Sequence, residues 1–301
     1  MSLPGFYIVG AARSGTTALW ATLRRHPGIF LSDVKEARFF AFDSGRPPRH
    51  GEPPPGGPWE SDQAAYEALF AAAEPSQVVG DISPRYLITP GTAERIAARV
   101  PDARIVAVLR QPVDRAYSYW MLYRRAGIEE LSFEAALADG PRRDAEGWFP
   151  GLTYLEAGDY RRWLAPYLST FPRTQVLVCL HDELRARPAE TMRRIVSFVG
   201  ADPDRLRDHE MLERNAAYVP RSDLLERAAS LLSPLSQRVL PEPALEAGRS
   251  LLRRMNGTRP QLDPRLRARL EPFVADQVDA LRELAGVDAS GWLEGSQVAA
   301  A

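Results

Sequence analysis

Gly10-Ala11-Ala12-Arg13-Ser14-Gly15-Thr16-Thr17 has the spacing of a phosphate-binding loop. Its glycines let backbone N–H groups curl around a phosphate, and a helix starting behind it would add the positive end of its dipole. The loop departs from the nucleotidase pattern at one place. Where G-x-x-x-x-G-K-[ST] needs a lysine to reach the β and γ phosphates, this chain has Thr16, and its cation stands earlier, at Arg13. No strand-end aspartate is obviously placed to hold magnesium, which further disfavours phosphoryl transfer from ATP. The loop fits a donor with a single 5′-phosphate. The same spacing also suits an ordinary strand-to-helix turn, so its neighbours must decide between the two.

Of the 38 basic residues in the 301-residue chain, all but one are arginine, and the exception is Lys35, directly before Glu36. A compact ammonium and a planar guanidinium are not interchangeable at a tight site, which makes the retained lysine a candidate for chemistry. Glu36 offers a carboxylate beside it, and Phe39-Phe40 offers an apolar anchor for the charged pair. The lone cysteine, Cys179, lies in an apolar run and reads as a buried thiol, and four scattered histidines give no metal-ligand spacing. The formal net charge of −1 excludes a generally basic nucleic-acid binder, so any anion site must be built locally. No basic region precedes a long apolar stretch, and no run reaches the roughly 18 apolar residues of a membrane span, which predicts a cytoplasmic protein.

Elements must hold these residues. Phe6 to Val9 reads as a strand closed by Gly10, and Thr16 to Arg25 carries apolar residues at helical spacing. Further strands are expected at Gln77 to Val79, Arg104 to Leu109 and Gln175 to Leu180, with helical pattern between. This alternation predicts an α/β fold with a central parallel sheet and helices on both faces. Pro112 opens the helix after the third strand, and Asp114 suits its N-terminal turn. Pro188 opens another, with Met192, Ile195, Val196 and Val199 on one face and Gly200 at its end. A last amphipathic helix from Asp263-Pro264 is expected to kink or split at Pro272. The segment 44–58, with six prolines and four glycines, reads as a surface loop within one domain spanning 1–301.

Taken together, these segments resemble the family of sulfotransferases that use 3′-phosphoadenosine 5′-phosphosulfate, especially its bacterial members and the heparan-type branch. The glycine loop looks like the family's 5′-phosphosulfate loop, followed by His26-Pro27 and Lys35-Glu36-Ala37-Arg38-Phe39-Phe40. Gly80-Asp81-Ile82-Ser83-Pro84-Arg85-Tyr86-Leu87 is similar to the family's G-E-x-[ST]-P-x-Y-[LF] segment, and Arg110 with Ser118 eight residues on resembles its 3′-phosphate motif.

The resemblance implies a P-loop-like sulfotransferase fold and a donor held by Arg13, Ser14, Gly15, Thr16 and Thr17 at one phosphate and by Arg110 and Ser118 at the other. Tyr160 and a late loop from Asn215 to Arg221, with Arg221 reaching a phosphate, are further donor contacts it implies. Glu36 takes the place of the catalytic glutamate and is the expected base, with Arg13 and Lys35 as the cations acting on the leaving phosphate or the sulfuryl oxygens. Asp81 is expected to orient a basic group or the acceptor, and His181 with Asp182-Glu183, just past the fourth strand, either to face the nucleotide or, the preferred reading, to make structural hydrogen bonds. The implied product is adenosine 3′,5′-bisphosphate, with no metal. The acceptor would be a small molecule, such as a specialised metabolite, or a glycan, met by 44–58, by Tyr123 to Tyr154 and by a variable region around 221–259. Two other classes compete: a P-loop kinase-like phosphotransferase, and a nucleotide-binding protein without catalysis.

Overall fold

The computed structural model describes residues 3–41, 62–206, 219–220, 257–258 and 261–293. The segment 44–58, Arg221 and all of 221–259 except 257–258 lie outside the described residues. Five strands form the central sheet: β1 (Phe6–Gly10), β2 (Ile29–Leu31), β3 (Val78–Ile82), β4 (Arg104–Leu109) and β5 (Val176–Leu180). Their order is β2-β3-β1-β4-β5 and every pair is parallel, with Phe6 opposite Gly80 on one side and Arg104 on the other. Two two-residue strands, β6 (Val219–Pro220) and β7 (Gly257–Thr258), pair antiparallel apart from this sheet.

Ten helices connect the strands among the described residues: α1 (Thr16–Leu23), α2 (Gln63–Ala68), α3 (Thr92–Arg99), α4 (Pro112–Arg125), α5 (Phe133–Ala145), α6 (Tyr160–Thr170), α7 (His181–Ala186), α8 (Pro188–Val199), α9 (Pro264–Arg269) and α10 (Glu271–Ala285). Alternation along each strand divides the apolar residues between two cores. Phe6 and Ile8 of β1 point to the side packed by α1 and α8, where Leu19, Leu23, Ile195 and Val196 are buried. Tyr7 and Val9 point to the other side, which is richer in aromatic residues. Gly80 is required here, because a Cβ on it would fall about 2.0 Å from the Phe6 ring.

Helix boundaries follow the expected caps. Pro112 begins α4, and Gln111 accepts a hydrogen bond from the Asp114 N–H at 2.7 Å. Gly200 ends α8 in the left-handed region at φ 95°. The chain breaks at Leu270, so Pro272 sits in the first turn of α10 and the expected kinked helix is two helices. Among the described residues no helix is long and apolar enough to cross a membrane.

Candidate active site

A parallel sheet delivers the turns that leave its strands to one edge, and the residues singled out above sit in such turns. The glycine loop leaves β1, Ser83 follows β3, Arg110 follows β4 and His181 follows β5. Open α/β sheets bind ligands at this edge.

The glycine loop enters α1 through Gly15 at φ 88°, a conformation that side chains with a Cβ rarely adopt. No side chain caps the N-terminus of α1, so its first-turn N–H groups are not satisfied by a cap. Ser14 is fully buried, and its hydroxyl has no hydrogen-bond partner among the described residues. The ring of His181 stands over the loop, with Cδ2 3.4 Å from the point a Gly15 Cβ would occupy. Thr16 is buried and Thr17 half-buried at the start of α1. A left-handed glycine, an unpartnered buried hydroxyl and an uncapped helix start fit a phosphate group.

Arg13 and Arg110 meet at this loop. Arg13 Nε donates to Ser118 Oγ at 3.0 Å, and Arg110 Nη1 donates to the Arg13 carbonyl at 3.1 Å. Neither guanidinium has a carboxylate within 4 Å among the described residues. Burial, and then the charges of Arg125 and Arg110, lowers the Arg13 pKa to about 10, so Arg13 stays charged at neutral pH. Burial also lowers that of Arg110. Tyr160 supports Arg110 from behind. Its ring is fully buried, its hydroxyl donates to the Arg110 carbonyl at 2.5 Å, and the Arg110 N–H donates back to it at 3.3 Å.

Lys35 and Glu36 form a second cluster. Lys35 Nζ lies 2.5 Å from Glu36 Oε1, and Arg38 Nη2 donates to Oε2 at 2.9 Å. Burial alone would push the Glu36 carboxyl up, but Lys35 and then Arg38 outweigh it and hold the group below the usual carboxylate range. Asp81 has no ion pair among the described residues. It accepts from the hydroxyls of Tyr66, Ser83 and Tyr86.

A sulfotransferase-domain family profile matches residues 63–219, slightly more than half of the chain. The chain belongs to the sulfotransferase family. The crystal structure of a sulfotransferase from Alicyclobacillus acidocaldarius superposes on it with a TM-score of 0.72 and 30% identity, covering 97% of this chain and 99% of the other. The human bifunctional heparan sulfate N-deacetylase/N-sulfotransferase 3 is 30% identical over 214 residues, and the mouse heparan sulfate glucosamine 3-O-sulfotransferase 3B1 is 29% identical over 206. These matches cover 67% and 66% of this sulfotransferase, but only 23% and 46% of the two relatives.

Sequence reasoning missed three participants. Arg125 reaches the Arg13 neighbourhood from the last residue of α4, and no local motif marks it. Tyr66 comes to Asp81 from α2, with only its aromatic type to hint at burial, whereas Tyr86 stands in the quoted Gly80–Leu87 segment, where no role marked it as a partner of Asp81. Within the segment Tyr123 to Tyr154, expected to meet the acceptor, Tyr123, Phe149 and Tyr154 are core residues.

Proposed function

We propose that this sulfotransferase moves a sulfuryl group from 3′-phosphoadenosine 5′-phosphosulfate to a hydroxyl or amine of a small-molecule or glycan acceptor, with Glu36 as general base. The observation that carries the reading is the meeting of Arg13 and Arg110, two half-buried cations with no carboxylate in ion-pair reach among the described residues. Such charge is costly to bury unless an anion balances it. The loop lacks the lysine a triphosphate needs, which favours a donor whose phosphates are separate.

In this reading the glycine loop and Arg13 hold the 5′-phosphate, and Arg110 with Ser118 holds the 3′-phosphate. Tyr160 seats Arg110. The donor supplies an activated sulfur bonded to a phosphate oxygen. Glu36 takes the proton from the acceptor as the new bond to sulfur forms, and the old bond breaks towards the phosphate oxygen, whose growing negative charge Arg13 stabilises. Lys35 now pairs with Glu36, which makes that carboxylate a weak base. Turning Lys35 to the sulfuryl oxygens would remove one of two cations from Glu36 and raise its basicity when the donor is in place. The two curated relatives are named for N-sulfation and glucosamine 3-O-sulfation, which supports an amine or hydroxyl on a sugar as one acceptor class.

Calorimetry with adenosine 3′,5′-bisphosphate, ATP and ADP tests the donor site, and labelled donor incubated with crude cell extract tests transfer. The bisphosphate should bind at least tenfold more tightly than ATP, and label should pass to an acceptor. Preference for ATP would favour a phosphotransferase, and tight binding without transfer to any acceptor would favour a non-catalytic protein.

A further inference from the structure

Asp81 lies in β3 with 4% of its surface exposed. It accepts hydrogen bonds from Tyr66 Oη at 3.0 Å, Tyr86 Oη at 2.7 Å and Ser83 Oγ at 2.8 Å. Each of these donors in turn holds one residue of the run that follows Glu36. Ser83 Oγ accepts from the Arg38 N–H at 3.2 Å, and Tyr86 Oη accepts from the Phe40 N–H at 3.3 Å. The Tyr66 ring stacks on Phe39 with centroids 4.4 Å apart and planes 8° from parallel. Three consecutive residues, 38 to 40, are thus tied to one carboxylate through three hydroxyl side chains.

The turn they hold is a demanding one. Glu36 and Arg38 both adopt left-handed backbone, at φ 63° and 61°, although neither is glycine. Such backbone is strained for a residue with a Cβ and persists only where its surroundings over-determine it. Arg38 is also one of the two cations on the Glu36 carboxylate. What fixes Arg38 therefore fixes the direction of Glu36.

We infer that Asp81 is a positioning residue for Glu36, acting through Ser83, Tyr66 and Tyr86 on the Arg38-Phe39-Phe40 run; this rests on Glu36 being the base. Asp81 is the acceptor in all three of its hydrogen bonds to these hydroxyls, the only role open to a carboxylate without a proton. It draws the protons of the Ser83 and Tyr86 hydroxyls towards itself and leaves their lone pairs facing the Arg38 and Phe40 amides. An asparagine would offer an N–H group to one of the hydroxyls and turn that hydroxyl's proton towards the backbone amide it should accept from. Polarity of the chain, and not only its packing, depends on the acid.

Lys35 is the only lysine and touches Glu36, so lysine labelled with carbon-13 gives one side-chain signal that reports on the pair. The test compares Asp81→Asn, Ser83→Ala and Glu36→Gln by that signal, by turnover of labelled donor with cell extract and by affinity for adenosine 3′,5′-bisphosphate. Asp81→Asn should move the Lys35 signal towards its position in Glu36→Gln and lower turnover at least tenfold, with bisphosphate affinity within about twofold of the parent. Ser83→Ala, which removes one link and keeps the acid, should do the same to a smaller degree, and it carries the test should Asp81→Asn fail to fold. A folded variant with the parent's Lys35 signal, or with the parent's turnover, overturns the inference. Glu36→Gln separates the two levels. Full turnover there removes the base itself, whereas a crippled Glu36→Gln beside an intact Asp81→Asn removes only the positioning role.

Discussion

Arg13 donates from Nε to the hydroxyl of Ser118 at 3.0 Å, across 105 residues of sequence. The contact joins the turn after β1 to the helix after β4, so the two groups expected at opposite phosphates of the donor share one hydrogen bond. Anion binding at either end must then be felt at the other.

Donor affinity should follow from this. Arg110→Ala is expected to weaken binding of adenosine 3′,5′-bisphosphate by more than tenfold, since a hydrogen bond to a charged group contributes about 1.5–3 kcal/mol. Arg110→Lys should recover only part, because a point charge does not reproduce a guanidinium fork. Calorimetry reads both, and unchanged affinity in Arg110→Ala would remove the assigned 3′-phosphate site.

Turnover should depend on Glu36. Glu36→Gln is expected to lose about 100-fold or more in kcat, the contribution of a general base, while bisphosphate affinity stays near that of the parent. Steady-state kinetics beside calorimetry checks the split.

The pH profile has a defined sign. Lys35 and Arg38 hold the Glu36 pKa down, so its basic form is present above that lowered value and disappears as pH falls through it. The acid limb of kcat/KM for the donor, which reports the enzyme before donor binds, should lie below the ordinary glutamate value of about 4.3. Lys35→Met removes one cation and should move this limb to higher pH; a limb that stays in place or moves down contradicts the pairing.

Gly15→Ala should impair the loop through its backbone. The Cβ itself finds ordinary contact distances, 3.4 Å from the His181 ring and from Leu184. At φ 88° the alanine carries strain of about 1–2 kcal/mol, so bisphosphate affinity should fall by about tenfold. Affinity equal to the parent's would mean that the loop relaxes without loss.

A pair remote from these groups offers a control. Arg143 Nη1 lies 2.7 Å from Glu129 Oε2, with both side chains at most 5% exposed, and Tyr154 donates to the same carboxylate. Glu129→Ala takes one of two carboxylates from the buried Arg143 guanidinium, which keeps Asp139 at 2.7 Å, and should lower stability by about 1–3 kcal/mol in denaturant unfolding. Bisphosphate affinity of the folded fraction should stay unchanged.

Much of the frame could be read from residues alone, because strong local signals marked it. The apolar runs at Phe6, Arg104 and Gln175 are strands in place, and Pro112, Pro188 and Gly200 bound their helices as expected. Ile29–Leu31 went unread, since three residues at a sheet edge show no periodicity. The strand expected at Gln77 to Val79 extends to Ile82, past the Gly80-Asp81 pair that interrupts its apolar pattern. Asp81 shows the limit more sharply. Its position in a motif was visible, but its partners Tyr66 and Tyr86 are assembled by packing, and one sequence carries no record of which hydroxyls a buried acid will meet.

The solitary lysine has one more consequence. An endoprotease that cuts only after lysine has a single target bond, Lys35–Glu36, and would divide the chain into 35 and 266 residues. That bond lies in the left-handed turn closed by the Lys35 and Arg38 ion pairs, so the native form should resist the enzyme. The rate at which the two fragments accumulate then becomes a clock for how often this one turn opens, readable on a gel without labels or a known acceptor.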